Sequence, residues 1–225
     1  MADKRLNDLL RWSIQNSDVT RDDAAAQAQA QAAAGNGGTS SHLTPELMAA
    51  LMGGPSDADV MKASMDVISA PLSPDVSLDD KLVAFDNFEQ LIENLDNANN
   101  MANLGLWTPL LDQLAAGEAE LRKMAAWCVG TAVQNNARTQ ERLLAAGGIA
   151  RLVAMAVADA EREDVRRKAV YALSSACRNY QPAMDACADE LSKAGHETAT
   201  VDAASMAAVD DVMNGLRDKA KGAAA

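Results

Sequence analysis

Residues that commonly carry catalysis are few in this chain and far apart. The only histidines are His42 and His196, and neither is spaced for a metal site or a nucleophile–base pair. Cys128, Cys177 and Cys187 lack C-x-x-C spacing, and their apolar helical surroundings favour reduced thiols in the core. The sequence contains neither a glycine-rich phosphate loop nor a nucleophile elbow. It therefore predicts a protein that is not an enzyme and holds no cofactor and no metal.

Composition and charge narrow the possible partners. The 225 residues carry a formal net charge of −12, which disfavours binding to nucleic acid or to an anionic membrane. No apolar run approaches the roughly 20 residues that span a bilayer, and the amino terminus lacks the apolar core of a secretory signal. We therefore expect a cytoplasmic protein with no nucleic acid and no membrane among its partners. Strand-forming patterns are scarce, which favours an all-α chain.

The strongest helix signal runs from Ser77 to Asn100. Its apolar residues recur every three or four positions and predict one buried stripe, formed by Leu82, Phe85, Phe88, Ile92 and Leu95. Ser77 and Asp80 have the spacing of a capping box at the start of the helix. The asparagine-rich run from Asn94 to Asn103 is expected to break the helix, because asparagine side chains compete for nearby backbone groups.

An internal repeat extends this signal along the chain. Asn94, Asn135 and Asn179 end similar segments and are 41 and 44 residues apart, within the roughly 40 to 47 residues of armadillo or HEAT repeats. The same register matches Lys81, Arg122 and Arg166 with one another, and Trp127 with Tyr171. The prediction is an all-α, armadillo-type helical solenoid of about three repeats, each covering the apolar face of its neighbour.

The recurrent asparagines allow two interpretations. Each could simply stop a helix, or together they could form a ladder of side-chain amides that binds a partner along the concave surface. Trp127, Trp107 and Tyr171 occur at helical core spacing and are interpreted as packing anchors.

Four segments are predicted around this repeat. Residues 1–20 form a short amphipathic helix, and residues 21–43 form a flexible linker rich in alanine, glutamine and glycine. Residues 44–196 form the armadillo-type core, and the alanine-rich residues 197–225 form a capping helix or a frayed tail. The first helix either folds back onto the core or docks elsewhere, because isolated helices shorter than about 12 to 15 residues are marginal in water.

Several of these segments resemble a known family. The block KLVAFDNFEQLIENLDNANNMANLGLWTPLLDQL, from Lys81 to Leu114, closely resembles the fungal nucleotide exchange factors of DnaK-type, seventy-kilodalton heat-shock chaperones. These are relatives of the animal heat-shock-protein-binding protein. The same family has segments similar to LLRWSIQNS at Leu9–Ser17, GTAVQNN at Gly130–Asn136 and DVRRKAVYALSSACRN at Asp164–Asn179. The likeness extends over most of residues 1 to 180.

The resemblance implies a function and a set of contact residues. Family members wrap one lobe of the chaperone's ATPase domain, so that ADP leaves. The implied partner-binding residues here are Asn94, Asn97, Ala98, Asn99, Asn135 and Asn179. The amino-terminal segment with Leu9, Leu10, Trp12 and Ile14 is implied to engage the chaperone's substrate-binding domain and to promote client release. The protein is expected to act as a monomer.

The sequence departs from the family near its end and leaves alternatives open. Longer members continue into a fourth repeat with basic residues, whereas this chain enters an alanine-rich tail without a matching arginine-bearing helix. A general armadillo peptide-binding adaptor is disfavoured, because Thr131 and Ser175 stand where a W-x-x-x-N motif would place asparagine. A purely structural scaffold would leave the amino-terminal segment unexplained. We also expect Ala98→Arg to block exchange and to spare the fold.

Overall fold

The computed structural model describes residues 55–196 and 199–222. The chain divides into two compact units, 1–63 and 64–225, so only residues 55–63 of the first unit are described. Helix α1, Asp57–Ser69, runs across this division. It begins after Ser56, whose Oγ accepts a hydrogen bond from the Asp59 backbone N–H at 3.3 Å. The predicted amino-terminal helix and the linker lie outside the described residues.

The rest of the described chain is helical and forms no strand. A 3₁₀ turn, Gln113–Ala115, follows the fourth helix. The remaining helices are α2 Leu78–Ile92, α3 Leu95–Asn100, α4 Trp107–Asp112, α5 Ala119–Val133, α6 Ala137–Ala145, α7 Gly148–Val157, α8 Glu163–Cys177, α9 Gln181–Lys193 and α10 Met206–Gly222. Among the described residues, no helix is both long and apolar enough to cross a membrane.

Three long helices carry the repeat within the second unit. Helices α2, α5 and α8 each have 15 residues, and each ends two residues before a recurrent asparagine. They pack side by side and parallel, as two contacts between equivalent helix ends show. Near the carboxyl ends, Thr131 on α5 donates to Glu89 Oε1 on α2 at 2.7 Å. Near the amino ends, Lys123 on α5 pairs with Asp164 on α8 at 3.1 Å. The predicted repeat register and the all-α solenoid are confirmed.

The recurrent basic residue explains part of the repeat. Lys81, Arg122 and Arg166 each donate to a carbonyl where the preceding helix or turn ends, and the acceptors are Ile68 O at 2.9 Å, Ala116 O at 2.7 Å and Ala156 O at 3.1 Å. Carbonyls at helix ends have no partner within the helix and carry partial negative charge. A cation at this position therefore joins each long helix to the element before it.

The alanine-rich carboxyl-terminal segment contains a helix with one buried side. Helix α10 buries Val209, Met213, Leu216 and Ala220. It packs antiparallel to α8, because Arg178 pairs with Asp210 at the start of α10 and Arg166 Nη2 donates to Lys219 O near its end at 3.2 Å. Helix α10 carries Arg217, and the absence of an arginine-bearing helix that matches the family's fourth repeat stays a prediction.

The opening stretch differs from the prediction at its end. The capping box of Ser77 and Asp80 is confirmed, and the hydrogen bonds from Ser77 lower the pKa of the Asp80 carboxyl. The asparagine run ends α2 but also begins α3, so it does not only break a helix. Leu95 was predicted to be buried and is 58% exposed, because α3 restarts the helical phase at Asn94.

Candidate functional site: two polar surfaces of the second unit

Asn94 organises the segment that the sequence singled out. Its Oδ1 accepts hydrogen bonds from the backbone N–H groups of Asp96 at 2.9 Å and Asn97 at 3.4 Å, so it caps the amino terminus of α3. The side-chain amide of Asn97 donates to Leu91 O at 3.0 Å. These bonds fold α3 back against the end of α2 and fix the direction of its remaining side chains.

An asparagine cluster follows from this arrangement. Asn99 Oδ1 accepts a hydrogen bond from Asn136 Nδ2 at 3.2 Å, which brings α3 beside the start of α6. Asn103 donates to Asn100 Oδ1 at 3.1 Å. A surface depression of about 330 Å³ is lined by Asp96, Asn97, Asn99, Asn100, Asn103 and Arg138, and we call these six residues the asparagine cluster. Its amides offer both donors and acceptors to a partner.

The recurrent asparagines do not share one geometry. Asn135 and Asn179 have φ angles of 53° and 57°, whereas Asn94 has φ of −72°. The left-handed values favour the interpretation of Asn135 and Asn179 as helix stops. Asn135 is exposed beside Asn136 and therefore near the cluster, whereas Asn179 is exposed one repeat further along. Within the described residues no hydrogen bond joins Asn179 to the cluster.

Ala98 lies beneath this surface. Its side chain is only 3% exposed, since it is the residue of α3 that faces the core. A guanidinium group introduced at a buried alanine overpacks the surrounding side chains and loses part of its water. The burial of Ala98 therefore argues against our expectation that Ala98→Arg would spare the fold.

A second polar surface lies where α5, α8 and α10 meet. This pocket has a volume of about 800 Å³ and is lined by Lys123, Arg162, Glu163, Asp164, Arg167, Lys168, Tyr171 and Arg217. Five of these side chains are cationic and two are acidic, although the whole chain has a net charge of −12. We call these eight residues the basic pocket. Positive charge concentrated in a cleft attracts acidic groups from solution.

Lys168 projects toward an aromatic pair that the repeat places side by side. Its Nζ lies 4.0 Å from the centroid of the Trp127 ring and 5.4 Å from that of Tyr171, within cation–π range. The rings come together because α5 and α8 approach closely at Gly130, where an added Cβ would lie 2.4 Å from Tyr171 Cε1. Burial lowers the pKa of Lys168, since the ammonium loses water there.

Most other cations of the pocket already have carboxylate partners. Lys123 pairs with Asp164 at 3.1 Å, Arg167 pairs with Glu163 at 3.4 Å, and Arg162 pairs with Glu120 and with Asp164. Arg217 donates only to the Asn214 amide oxygen, at 2.8 Å. Among the described residues, Lys168 and Arg217 are thus the two cations of the pocket that form no ion pair.

The cysteines belong to the core, as predicted. Cys128, Cys177 and Cys187 are buried and free. Burial raises the pKa of the Cys128 thiol, and hydrogen bonding to Cys187 together with burial raises that of Cys177. Raised pKa values disfavour the reactive thiolate, so these side chains serve packing.

Comparison with known proteins places this architecture in a family. Residues 6–101 match the family model described as nucleotide exchange factor Fes1, and residues 97–189 match the SIL1/FES1/HPBP1 carboxyl-terminal domain. The chain belongs to the Fes1 family. The resemblance noted from residues 81–114 is therefore confirmed by matches that together span most of the chain.

Curated relatives of this Fes1-family chain are fungal. A protein of Gibberella zeae named Hsp70 nucleotide exchange factor FES1 is 68% identical over 97% of this chain and 98% of its own length. The Neurospora crassa protein of that name is 50% identical over 98% of this chain and 100% of its own length. The Eremothecium gossypii protein of that name is 43% identical over 79% of this chain but only 57% of its own length.

A solved structure supports the fold of this Fes1-family chain. A crystal structure of an engineered protein aligns with 79% of the chain and 71% of its own chain, with a TM-score of 0.50 and 17% sequence identity. At that identity the likeness concerns the fold alone.

Sequence reasoning missed the basic pocket. Trp127 and Tyr171 were matched by the repeat but interpreted only as packing anchors, and both are in fact half-buried. Their equivalent positions on parallel helices already indicated that the two rings would be neighbours. Lys168 lies one helical turn before Tyr171, and this spacing already indicated that a cation would lie beside the two rings. No pattern pointed to Arg217, because its place depends on the direction in which α10 packs.

Proposed function

We propose that the protein is a nucleotide exchange factor for a cytosolic seventy-kilodalton heat-shock chaperone, Hsp70. It binds the chaperone's ATPase domain as a monomer, accelerates ADP release and uses no catalytic residue of its own. The observation that carries this proposal is 68% identity, over nearly the full length of both chains, to a protein named for that function.

Two surfaces support binding to a folded partner. The asparagine cluster offers amide donors and acceptors on α3, next to Asn135, and the basic pocket offers unpaired cations on α8 and α10. Both belong to the second unit, and rigid repeats position them. We assign the chaperone contact to Asn94, Asn97, Asn99, Asn135 and Asn179, with Ala98 supporting the segment from below.

Exchange by such a protein requires only differential binding. If it binds the open, nucleotide-poor conformation of the ATPase domain better than the closed one, it shifts the chaperone toward the open state. A hundredfold weakening of ADP affinity corresponds to a coupling free energy of about 2.7 kcal/mol. That value lies within the usual range for allosteric coupling between two ligands.

Release of a fluorescent ADP analogue from a fungal cytosolic Hsp70 tests the proposal by stopped flow. We expect the release rate to rise with the concentration of this protein until the chaperone is saturated. A heat-denatured sample of the same protein serves as the control. Binding without acceleration would contradict exchange activity and leave an armadillo-type adaptor.

The amino-terminal segment has a separate proposed role, client release, and it lies outside the described residues. The double substitution Leu10→Ala with Trp12→Ala should leave ADP release unchanged, because it alters only side chains of the proposed client-release segment. It should slow the release of a labelled client peptide from the chaperone. An equal loss of both activities would mean that the segment belongs to the exchange surface.

A further inference from the structure

Two cations of the basic pocket lack the counterions that their neighbours have. Lys123, Arg162 and Arg167 each pair with a carboxylate of this chain. Lys168 lies over the rings of Trp127 and Tyr171 and forms no ion pair, although the nearby Glu89 carboxylate partly opposes the lowering of its pKa by burial. Arg217 bonds only to an amide oxygen. The chain therefore leaves one partly buried ammonium and one guanidinium available in the basic pocket.

The environment of Lys168 makes an added carboxylate favourable. Its ammonium has already lost part of its water through burial, so binding removes less water from it than from a fully exposed lysine. A charge pair that is partly shielded from solvent interacts more strongly than an exposed one. Apolar ring surfaces beside the ammonium also exclude competing water, as the surroundings of a binding hot spot do.

Charge selects the occupant. Glu163 and Asp164 also line the pocket, and the whole chain has a net charge of −12, so an extended polyanion such as a nucleic acid would be repelled. A single acidic side chain on a folded protein carries only one negative charge, and both unpaired cations line the pocket that it would enter. A protein surface with a protruding aspartate or glutamate fits this arrangement.

We propose that the chaperone inserts a carboxylate side chain into the basic pocket, where it pairs with Lys168 and Arg217. This inference rests on the proposed function and adds the chemistry of the contact. Lys168 is then a specificity-determining residue, because it rewards an acidic partner surface and disfavours a basic one. Helix α10 contributes to the contact surface through Arg217.

The test measures chaperone affinity and ADP release for three variants that each remove one positive charge. Lys168→Met and Arg217→Met alter the pocket, and Arg151→Met is the matched control, since Arg151 is exposed, pairs with Asp112 at 2.8 Å and lies outside the pocket. We expect Lys168→Met to weaken binding about tenfold and Arg217→Met several-fold. The control should change the affinity less than about twofold.

Salt dependence and stability separate binding from a structural role. The wild-type affinity should fall as salt rises, and this dependence should be shallower in Lys168→Met, because one cross-interface ion pair is lost. The free energy of unfolding of Lys168→Met should equal or exceed that of the wild type, since a partly desolvated ammonium is removed.

The outcomes distinguish the two proposals. If the wild type accelerates ADP release and both pocket variants match the Arg151→Met control, the carboxylate contact is overturned and the exchange function stands. If the wild type neither binds the chaperone nor accelerates release, both proposals fail together. Direct binding of ADP to this protein alone, lost in Lys168→Met, would also overturn the inference, because phosphate would then be the ligand of the pocket.

Discussion

Asn135 and Asn179 recur because of the backbone conformation that each position requires. Both hold left-handed φ angles after a long helix, a conformation that costs most residues about 1 to 2 kcal/mol and that glycine and asparagine tolerate best. The Asn179 backbone N–H also donates to Ala203 O at 2.9 Å, which holds the connection to α10. Repetition of these asparagines therefore has a sufficient structural reason, whether or not their amides also bind a partner.

A pair of substitutions at Asn135 tests the helix-stop role. Asn135→Gly should change the free energy of unfolding by less than about 0.5 kcal/mol, whereas Asn135→Ala should lower it by about 1 kcal/mol, because only alanine is strained at positive φ. Urea unfolding measures both values. Equal stability of the two variants would contradict the role. If Asn135→Gly keeps its stability but binds the chaperone less tightly, the side-chain amide of Asn135 contacts the chaperone.

Ala98 gives a second test at this scale. Ala98→Arg should lower the free energy of unfolding by more than about 3 kcal/mol, since it forces a cation into a packed core. Leu95→Arg on the same helix is the matched control, because Leu95 is 58% exposed, and it should change stability by less than about 0.5 kcal/mol. Chemical denaturation measures the free energy of unfolding of both variants. Similar values for the two would mean that Ala98 is accessible to solvent.

Adjacent repeats are joined by ion pairs as well as by apolar contacts. Arg122 Nε and Nη2 donate to the two carboxylate oxygens of Glu161 at 2.6 and 2.8 Å, while its Nη1 donates to the carbonyls of Ala116 and Gly117. The hydrogen bonds from Arg122 lower the pKa of Glu161 from its ordinary value of 4.5. This carboxylate therefore stabilises the folded state when it is ionised.

The pH dependence of stability follows from that direction. Because the pKa of Glu161 is lower in the folded state, its contribution is fully present above its ordinary pKa and is lost as the pH falls through the folded value. Glu161→Gln should lower the free energy of unfolding by about 1 to 2 kcal/mol near neutral pH. The difference from the wild type should shrink as the pH falls from the ordinary pKa of 4.5 through the lower pKa of the folded state.

Urea unfolding at several pH values measures the effect of Glu161→Gln. Asp218→Asn is the control, because Asp218 is highly exposed and pairs with Lys221 at 3.2 Å, and exposed pairs contribute little. A difference between Glu161→Gln and the wild type that stays constant into acid would contradict the assignment.

Elements were predictable where local signals and the repeat agreed. The capping box at Ser77, the long helices and their register followed from spacing alone, because amphipathic period and capping are local properties. The end of α2 was misjudged at Leu95, since the cap that Asn94 supplies to α3 competes with continuation of the helix. The repeat alignment matched Lys81, Arg122 and Arg166, but the sequence did not reveal the hydrogen bonds that explain the match. The carbonyl acceptors of these bonds belong to other elements.

At the scale of the whole molecule, charge and the last helix change the interpretation of the sequence. A net charge of −12 suggested only that anionic partners are disfavoured, yet the fold gathers five cations into one pocket. Two of them, Arg167 and Lys168, come from helix α8, Arg162 immediately precedes it, and Arg217 comes from the alanine-rich tail. Such convergence depends on how distant segments pack, so neither composition nor repeat spacing could predict it.

Under the proposed function, binding of this protein to the chaperone and binding of nucleotide to the chaperone oppose each other. Coupling between two ligands is reciprocal, so the affinity of this protein for the chaperone, measured by calorimetric titration in increasing ADP, is the most direct test. We predict that saturating ADP weakens this affinity by the same factor by which the protein weakens ADP binding. An affinity that is unchanged at saturating ADP would contradict the proposed exchange mechanism.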